Sequence, residues 1–216
     1  MTRNPASGRV SATVLIVVAA FATAIGLWLG ARLLSSPSHD ALPALKTAVM
    51  YPQPRGVPEF QLTQANGKPL TRADWEGRWT VAFFGFTHCP DVCPITLNVF
   101  KQVWATLDAQ GKTARLSFDF ISVDPERDTP ELLAQYVAFY NPDFIAATGS
   151  DEQLTALTRP LGLIYARTPD EHGSYSVDHT ASAVIIDPAG RLIGLFRPPF
   201  EAGPIAADLA TLVESR

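Results

Sequence analysis

The sequence predicts an α/β domain, with a central mixed sheet flanked by helices, preceded by an N-terminal transmembrane helix. Over residues 57–216, apolar runs of strand length alternate with segments of helical periodicity, which is typical of α/β domains. An uncharged apolar stretch of about 22 residues comes first, and roughly 33 Å of helix is enough to cross a bilayer core. With 47% apolar residues the chain can build a sizeable core, and its net charge of −4 predicts no nucleic-acid partner.

The N-terminal region is predicted to anchor the domain to a membrane. The apolar run spans residues 10–31, two arginines precede it, and Trp28 lies near its far end, where interfacial tryptophans are common. Residues 1–9 are therefore expected in the cytoplasm, and the short segment ahead of the helix favours a bacterial inner-membrane protein. A cleaved signal peptide is the alternative, since residues 22–24 resemble a cleavage site, but the apolar run continues past them.

Residues 32–56 are predicted to form an extended, semi-rigid linker. Prolines recur through this segment without sustained periodicity, which favours an extended chain over a helix or a paired strand. The linker should hold the folded domain, residues 57–216, away from the membrane.

The strands of the domain are indicated by turns and by apolar runs. Asn66-Gly67 is a hairpin-turn signal, and a helical turn follows over residues 71–76. The continuous apolar run at residues 79–86 is expected for a strand covered on both faces. The predicted strands are 59–63, 68–70, 79–86, 115–123, 144–147, 163–167, 181–186 and 192–196.

The helices are indicated by their ends as well as by their apolar stripes. Pro at a first helical position, Ser or Thr as N-cap and Gly as C-terminal cap each mark a boundary. The first predicted helix, 94–110, begins at Pro94 and is followed by Gly111 as its C-terminal cap. The others are 130–140 with Thr129 as N-cap, 151–161 with a Ser150–Gln153 capping box, and one opening at Pro204. A polar loop is expected at 168–175. This order fits a thioredoxin-like fold with a cysteine-containing turn at the first helix of the domain.

The chain has two cysteines, Cys89 and Cys93, which lie four residues apart directly after the predicted strand 79–86. In a helical turn their Cα atoms are roughly 6 Å apart, which permits either a disulfide or joint binding of one soft metal ion. A purely structural disulfide is disfavoured, because closing so short a loop restrains little chain entropy. The helix start and the neighbouring His88 both favour the thiolate, which is the form that attacks disulfides and binds metals.

His179 is the histidine expected to complete a metal site. It precedes the strand predicted at 181–186, in a loop that packs against the cysteine turn in a thioredoxin-like sheet. Two thiolates and an imidazole suit copper, and zinc accepts the same ligands. Asp91 and Asp178 are neighbours that could supply an oxygen ligand, although aspartates are common in turns and that explanation is slightly favoured. His39 and His172, in the linker and the polar loop, are weaker candidates.

Three blocks of sequence resemble the Sco/SenC family: residues 84–94, 123–130 and 178–181. Members of this family are membrane-anchored, thioredoxin-like copper proteins that help assemble the binuclear Cu(A) centre of cytochrome c oxidase. The resemblance implies that Cys89, Cys93 and His179 are copper ligands, with Cu(I) and Cu(II) both open. It also implies that residues 168–177 form the long loop that precedes the histidine, with Gly173 as a candidate hinge, and we hypothesise that metal loading orders this loop.

The resemblance implies a metallochaperone that delivers copper to the Cu(A)-bearing oxidase subunit on the periplasmic side. A small periplasmic copper carrier is a further candidate partner, and the source of the metal stays open. The alternative is a thiol–disulfide oxidoreductase, in which Cys89 and Cys93 keep the acceptor cysteines reduced. A peroxidase of peroxiredoxin type is disfavoured, because its threonine should lie three residues before the cysteine and Thr87 lies two before Cys89.

Overall fold

The computed structural model describes residues 12–34, 45–169 and 175–215. The chain divides into an N-terminal unit, residues 1–42, and a second unit, residues 43–216. In the first unit, helix α1 (Ala12–Leu34) is long and apolar enough over Ala12–Gly30 to cross a membrane, by length and composition. The segment expected in the cytoplasm, residues 1–9, and much of the predicted linker lie outside the described residues.

The second unit contains most of the secondary structure of the chain. Its strands are β1 Val49–Gly56, β2 Gln61–Gln64, β3 Pro69–Thr71, β4 Trp79–Gly85, β5 Leu116–Ser122, β6 Ile145–Thr148, β7 Tyr165–Pro169, β8 Tyr175–His179, β9 Ala183–Ile186 and β10 Arg191–Phe196. Its helices are α2 Val92–Asp108, α3 Pro130–Tyr140, α4 Asp151–Thr158 and α5 Ala202–Glu214, with 3₁₀ turns at Arg72–Trp75 and Thr113–Arg115.

Eight strands form one mixed sheet in the order β1-β10-β9-β4-β5-β6-β2-β3. The three strands β4, β5 and β6 are parallel, and the other neighbours pair antiparallel. Side chains of β4 alternate between the two faces: Phe83 meets Phe100 of α2 edge-to-face at 6.2 Å, whereas Phe84 belongs to the core cluster that includes Leu157 of α4. The thioredoxin-like architecture, with β4 buried on both faces, is thus confirmed.

The linker prediction was wrong over residues 49–56, which form β1. This strand pairs antiparallel with β10 at one edge of the sheet, with an irregular register between Met50 and Arg55. Prolines are tolerated in edge strands, where one side of the backbone needs no partner, so their presence does not exclude a strand. Asp208 of α5 also holds the preceding segment, since its carboxylate accepts hydrogen bonds from the backbone N–H groups of residues 46–48 at 2.8 to 3.1 Å.

Of the polar loop predicted at residues 168–175, the structure describes residues 168, 169 and 175, and these three belong to strands of a second, separate sheet. Strands β7 and β8 pair antiparallel, and the register sets Tyr165 opposite His179. His179 therefore ends a strand, and does not lie in a loop as predicted. The proposed hinge Gly173 and the weaker candidate His172 lie outside the described residues.

The predicted helix boundaries hold to within a few residues. Helix α2 starts two residues earlier than expected, so that Cys93 is its second residue. Ser150 caps α4 by accepting from the N–H of Gln153 at 3.3 Å, as predicted. The side chain of Gln153, however, accepts from the N–H of Gln61 in β2 and does not complete a reciprocal capping box.

Candidate metal centre

The two cysteines lie where β4 leaves the sheet and the chain turns into α2. Cys89 is partly buried and its N–H donates to the Phe86 carbonyl at 3.3 Å, whereas Cys93 is 0% exposed. Neither cysteine is in a disulfide. Asp91 is the N-cap residue of α2 but makes no side-chain cap hydrogen bond. The turn therefore presents one accessible thiol and one enclosed thiol.

Gly85, the last residue of β4, provides the space for the enclosed thiol. A Cβ atom added at this position would lie 2.6 Å from Cys93 Sγ and 3.1 Å from Cε2 of Phe120. Since 2.6 Å is shorter than any normal carbon–sulfur contact, a side chain here would displace the sulfur. Gly85 was quoted above only as part of a motif, and its role is visible only once Cys93 is placed against it.

His179, at the end of β8, meets the two cysteines. Its Nε2 lies 3.4 Å from Cys93 Sγ, and the ligand atoms of all three residues lie within 4.8 Å of one another. The imidazole packs edge-on against the rings of Phe83 and Phe86, each with its centroid at 5.9 Å. The structure thus brings together the three residues that the sequence selected as metal ligands.

The geometry and chemistry of this group fit a soft metal ion. Metal bonds of about 2.3 Å to sulfur and about 2.0 Å to nitrogen place two ligands of one ion at most about 4.6 Å apart, so only small adjustments are needed. Nδ1 of His179 lies 3.3 Å from the Thr180 carbonyl, which only accepts hydrogen bonds. Donation of an Nδ1 proton to this carbonyl would leave the lone pair of Nε2 free for a metal ion. Two sulfurs and one imidazole nitrogen suit copper, and also zinc.

The two thiols differ in acidity because they share a hydrogen bond. Donation from Cys93 lowers the pKa of Cys89 to about 5, against an opposing effect of burial and with further help from the backbone N–H groups of Asp91 and Cys93. The same hydrogen bond, together with burial, raises the pKa of Cys93 well above its ordinary range. At neutral pH the accessible sulfur is thus the thiolate and the enclosed one keeps its proton. The sequence indicated a thiolate without distinguishing the two positions.

Asp128 holds the cysteine turn onto the sheet. Its carboxylate is 0% exposed and accepts from the N–H of Thr87 at 2.9 Å, from the Thr87 hydroxyl at 2.5 Å and from the Ser122 hydroxyl at 2.5 Å. These bonds join the residues before Cys89 to the end of β5. Asp128 is a functional candidate that sequence reasoning missed: it lies in the block 123–130 that carries the family resemblance, but its partner Thr87, 41 residues away, has no signal in the sequence.

The remaining candidates lie apart from the donor group. His88 is directed to Thr87 Oγ1 at 3.0 Å and to Asp128 at 3.5 Å, and its side chain is half exposed. Asp178 is exposed and accepts from the Thr168 hydroxyl at 3.3 Å, as a residue of the hairpin. Within the described residues, Cys89, Cys93 and His179 form the cluster that could hold a metal ion. His39 lies outside the described residues.

Comparisons with known proteins identify the family of the chain. A family model described as SCO1/SenC matches residues 49–214. A Stutzerimonas stutzeri relative, named "Putative copper-binding protein", is 34% identical over 177 residues, covering 82% of this chain and 86% of the relative. Human mitochondrial protein SCO1 homolog is 40% identical over 153 residues, covering 70% of this chain and 51% of that relative, so that the match spans about half of the human protein. The solved structure of Bradyrhizobium japonicum ScoI with copper bound has a TM-score of 0.66 and 36% identity, covering 73% of this chain and 99% of the other.

Proposed function

Because the chain belongs to the SCO1/SenC family, we propose that it binds copper and delivers it to the Cu(A)-bearing subunit of cytochrome c oxidase during assembly. Copper binding is supported by a relative named as a copper-binding protein and by a solved relative with copper bound. The single observation that carries the proposal for this chain is the convergence of Cys89, Cys93 and His179, with ligand atoms within 4.8 Å.

The different exposure of the two cysteines supports stepwise transfer of copper. Cys89 is partly exposed at the turn, whereas Cys93 is enclosed between α2 and Gly85. An incoming cysteine of an acceptor therefore meets the bond to Cys89 first, and Cys93 is exchanged later. Such ligand exchange keeps copper bound to sulfur throughout the handover.

The proposed location is the bacterial inner membrane, with the folded domain in the periplasm. Helix α1 has the length and composition of a membrane span, and the expected cytoplasmic segment, residues 1–9, precedes it. This arrangement would put the donor on the membrane that also holds its acceptor. A periplasmic copper carrier is the proposed source of the metal.

A thiol–disulfide oxidoreductase is the second candidate, and the low pKa of Cys89, about 5, favours it. The Cys89 thiolate would attack one sulfur of an acceptor disulfide and release the other as a thiolate. Cys93 would lose its proton and attack Cys89 in the resulting mixed disulfide, which gives the Cys89–Cys93 disulfide and a reduced acceptor. Two electrons pass to the acceptor, and a dithiol reductant must restore the pair.

Copper affinity of the reduced full-length protein in detergent distinguishes these functions. We expect one tightly bound Cu(I), measured against a competing chelator, that is weakened by roughly 100-fold or more by Cys89→Ala, Cys93→Ala or His179→Ala. His88→Ala is the matched control, because His88 is adjacent to Cys89 but directed away from the donor group.

The role of His179 separates delivery from reduction. The His179→Ala protein should still exchange disulfides, since both cysteines remain, but should not support oxidase assembly in cells. Normal Cu(A) loading in cells with His179→Ala would show that metal delivery is not the main task and would favour the reductase.

A further inference from the structure

The hairpin that carries His179 lies outside the main sheet. Within the part of the chain that the structure describes, β7 and β8 pair only with each other, and an isolated two-stranded hairpin is marginally stable in water. At its base, the Thr180 N–H donates to the Ile164 carbonyl at 2.9 Å and the Ile164 N–H donates to Thr180 Oγ1 at 3.0 Å. The position of His179 against Cys93 therefore depends on what joins the rest of the hairpin to the domain.

Tyr175, the first residue of β8, makes a partly buried contact with the loop after β5. Its hydroxyl donates to Asp124 Oδ1 at 2.6 Å and also lies 3.3 Å from Glu126 Oε2. The Asp124 side chain is 0% exposed, so the acceptor is held in a fixed position within the domain. Tyr175 lies four residues before His179 on the same strand, about 13 Å away at the rise of a β-strand.

Arg127 reinforces this contact. Its guanidinium carbon lies 3.9 Å from the centroid of the Tyr175 ring, its Nη1 donates to the Tyr175 carbonyl at 2.9 Å and its Nε donates to Asp124 at 2.5 Å. The same guanidinium lies 5.8 Å from the Phe86 ring, against which the His179 imidazole packs. A continuous series of contacts thus joins Asp124 to the imidazole.

A second ionic contact holds β7. Arg167 donates from two nitrogens to the two carboxylate oxygens of Asp151, at the start of α4, both at 2.8 Å, and to the Val123 carbonyl at 3.3 Å. These hydrogen bonds do not use the Tyr175 hydroxyl, and Val177 of β8 is buried in the core, so the hairpin stays attached to the domain when that hydroxyl is removed.

We propose that the hydrogen bond from Tyr175 to Asp124, together with the stacked Arg127, positions His179 against Cys93. One loop then supports both halves of the site, since Asp128 holds the cysteine turn and Asp124 holds the hairpin. Ser122 links the two, because its hydroxyl donates to Asp128 and accepts from the N–H of Asp124. The three positioning residues are Tyr175, Asp124 and Arg127. Their effect on the position of His179 is independent of the proposed function, and only their effect on copper binding rests on it.

The metal-free test measures the position of the His179 imidazole in the reduced full-length protein that carries Tyr175→Phe. This substitution removes the hydroxyl but keeps the aromatic ring of residue 175 stacked against Arg127. In wild type, NMR should give proton–proton contacts from His179 to the rings of Phe83 and Phe86. These contacts should weaken in Tyr175→Phe and amide exchange in β8 should speed up. Tyr51→Phe, the same change in β1, should alter neither. Unchanged contacts and exchange in Tyr175→Phe would overturn the inference, whatever the copper affinity.

The copper test is a double-mutant cycle. We expect Tyr175→Phe to weaken Cu(I) binding about tenfold in the wild-type background and to have no further effect in His179→Ala, because the tyrosine acts only through the histidine. Arg127→Lys, which keeps the charge but loses the stacked fork, should act in the same way. Equal weakening in both backgrounds would refute positioning through His179. If the imidazole moves but copper binding ignores His179, the positioning stands and the proposed function fails.

Discussion

Gly85→Ala is expected to impair the metal site by moving one sulfur. The added Cβ would lie 2.6 Å from Cys93 Sγ, and ordinary contact begins at 3.4 Å, so the two atoms must separate by about 0.8 Å. Cys93 is 0% exposed and Phe120 Cε2 is 3.1 Å from the same Cβ, which leaves the sulfur little room to relax elsewhere. Functional groups must be held to within about 0.5 Å of their productive positions, so this shift is large for a ligand.

The expected magnitude is a 10- to 100-fold loss of Cu(I) affinity, about 1.4 to 2.7 kcal/mol. Crowding of the core should also lower the free energy of unfolding by about 1–3 kcal/mol. Competition with a Cu(I) chelator measures the first effect, and urea unfolding of the reduced, metal-free protein measures the second.

Gly149→Ala provides a matched control. Its Cβ would lie 2.7 Å from Cδ2 of Leu62, an equally close contact with the end of a side chain, but away from the cysteines. The Gly149→Ala substitution should lower the free energy of unfolding by a comparable amount and leave the copper affinity unchanged. Wild-type copper affinity in Gly85→Ala would refute the argument that this glycine provides the space for Cys93.

Two predictions concern titration. Cys93 is the donor that lowers the pKa of Cys89 to about 5, so Cys93→Ala should move the midpoint of the pH dependence of Cys89 alkylation up toward about 8.5. Mass spectrometry after iodoacetamide treatment across pH measures this midpoint. An unmoved midpoint would contradict the assigned hydrogen bond. Burial raises the pKa of Asp119 to about 6 in the folded protein, although hydrogen bonds from Ser117 and Trp75 oppose this shift. The stability that the protonated Asp119 contributes is therefore complete below about pH 4 and is lost as pH rises through about 6. Relative to Asp119→Asn, the wild-type free energy of unfolding should fall by about 2 kcal/mol between about pH 4 and pH 7 in urea titrations, and parallel pH profiles of the two proteins would exclude this effect.

The elements that could be predicted are those whose signals are local. Thr129, for example, accepts from the Leu132 N–H, as expected of an N-cap, and Gly67 takes the positive φ that its hairpin turn requires. By contrast, β1 has no local signal, because its prolines are typical of a linker. It is a strand because β10 offers an edge and Asp208 binds the preceding backbone, and both lie far away in the chain.

The sequence by itself determined the chemistry available to the site: two thiols four residues apart at the start of a helix, and one histidine near a strand of the same domain. Spacing along a single turn is enough to bring Cys89 and Cys93 together. Only the tertiary structure decided which thiol is enclosed and what holds the imidazole, since both depend on contacts between segments that are apart in the chain. Gly85 against Cys93, Asp128 beneath Thr87 and Asp124 bonded to Tyr175 have no signature in local periodicity, because the free energy of such contacts arises only when the sheet brings the segments together.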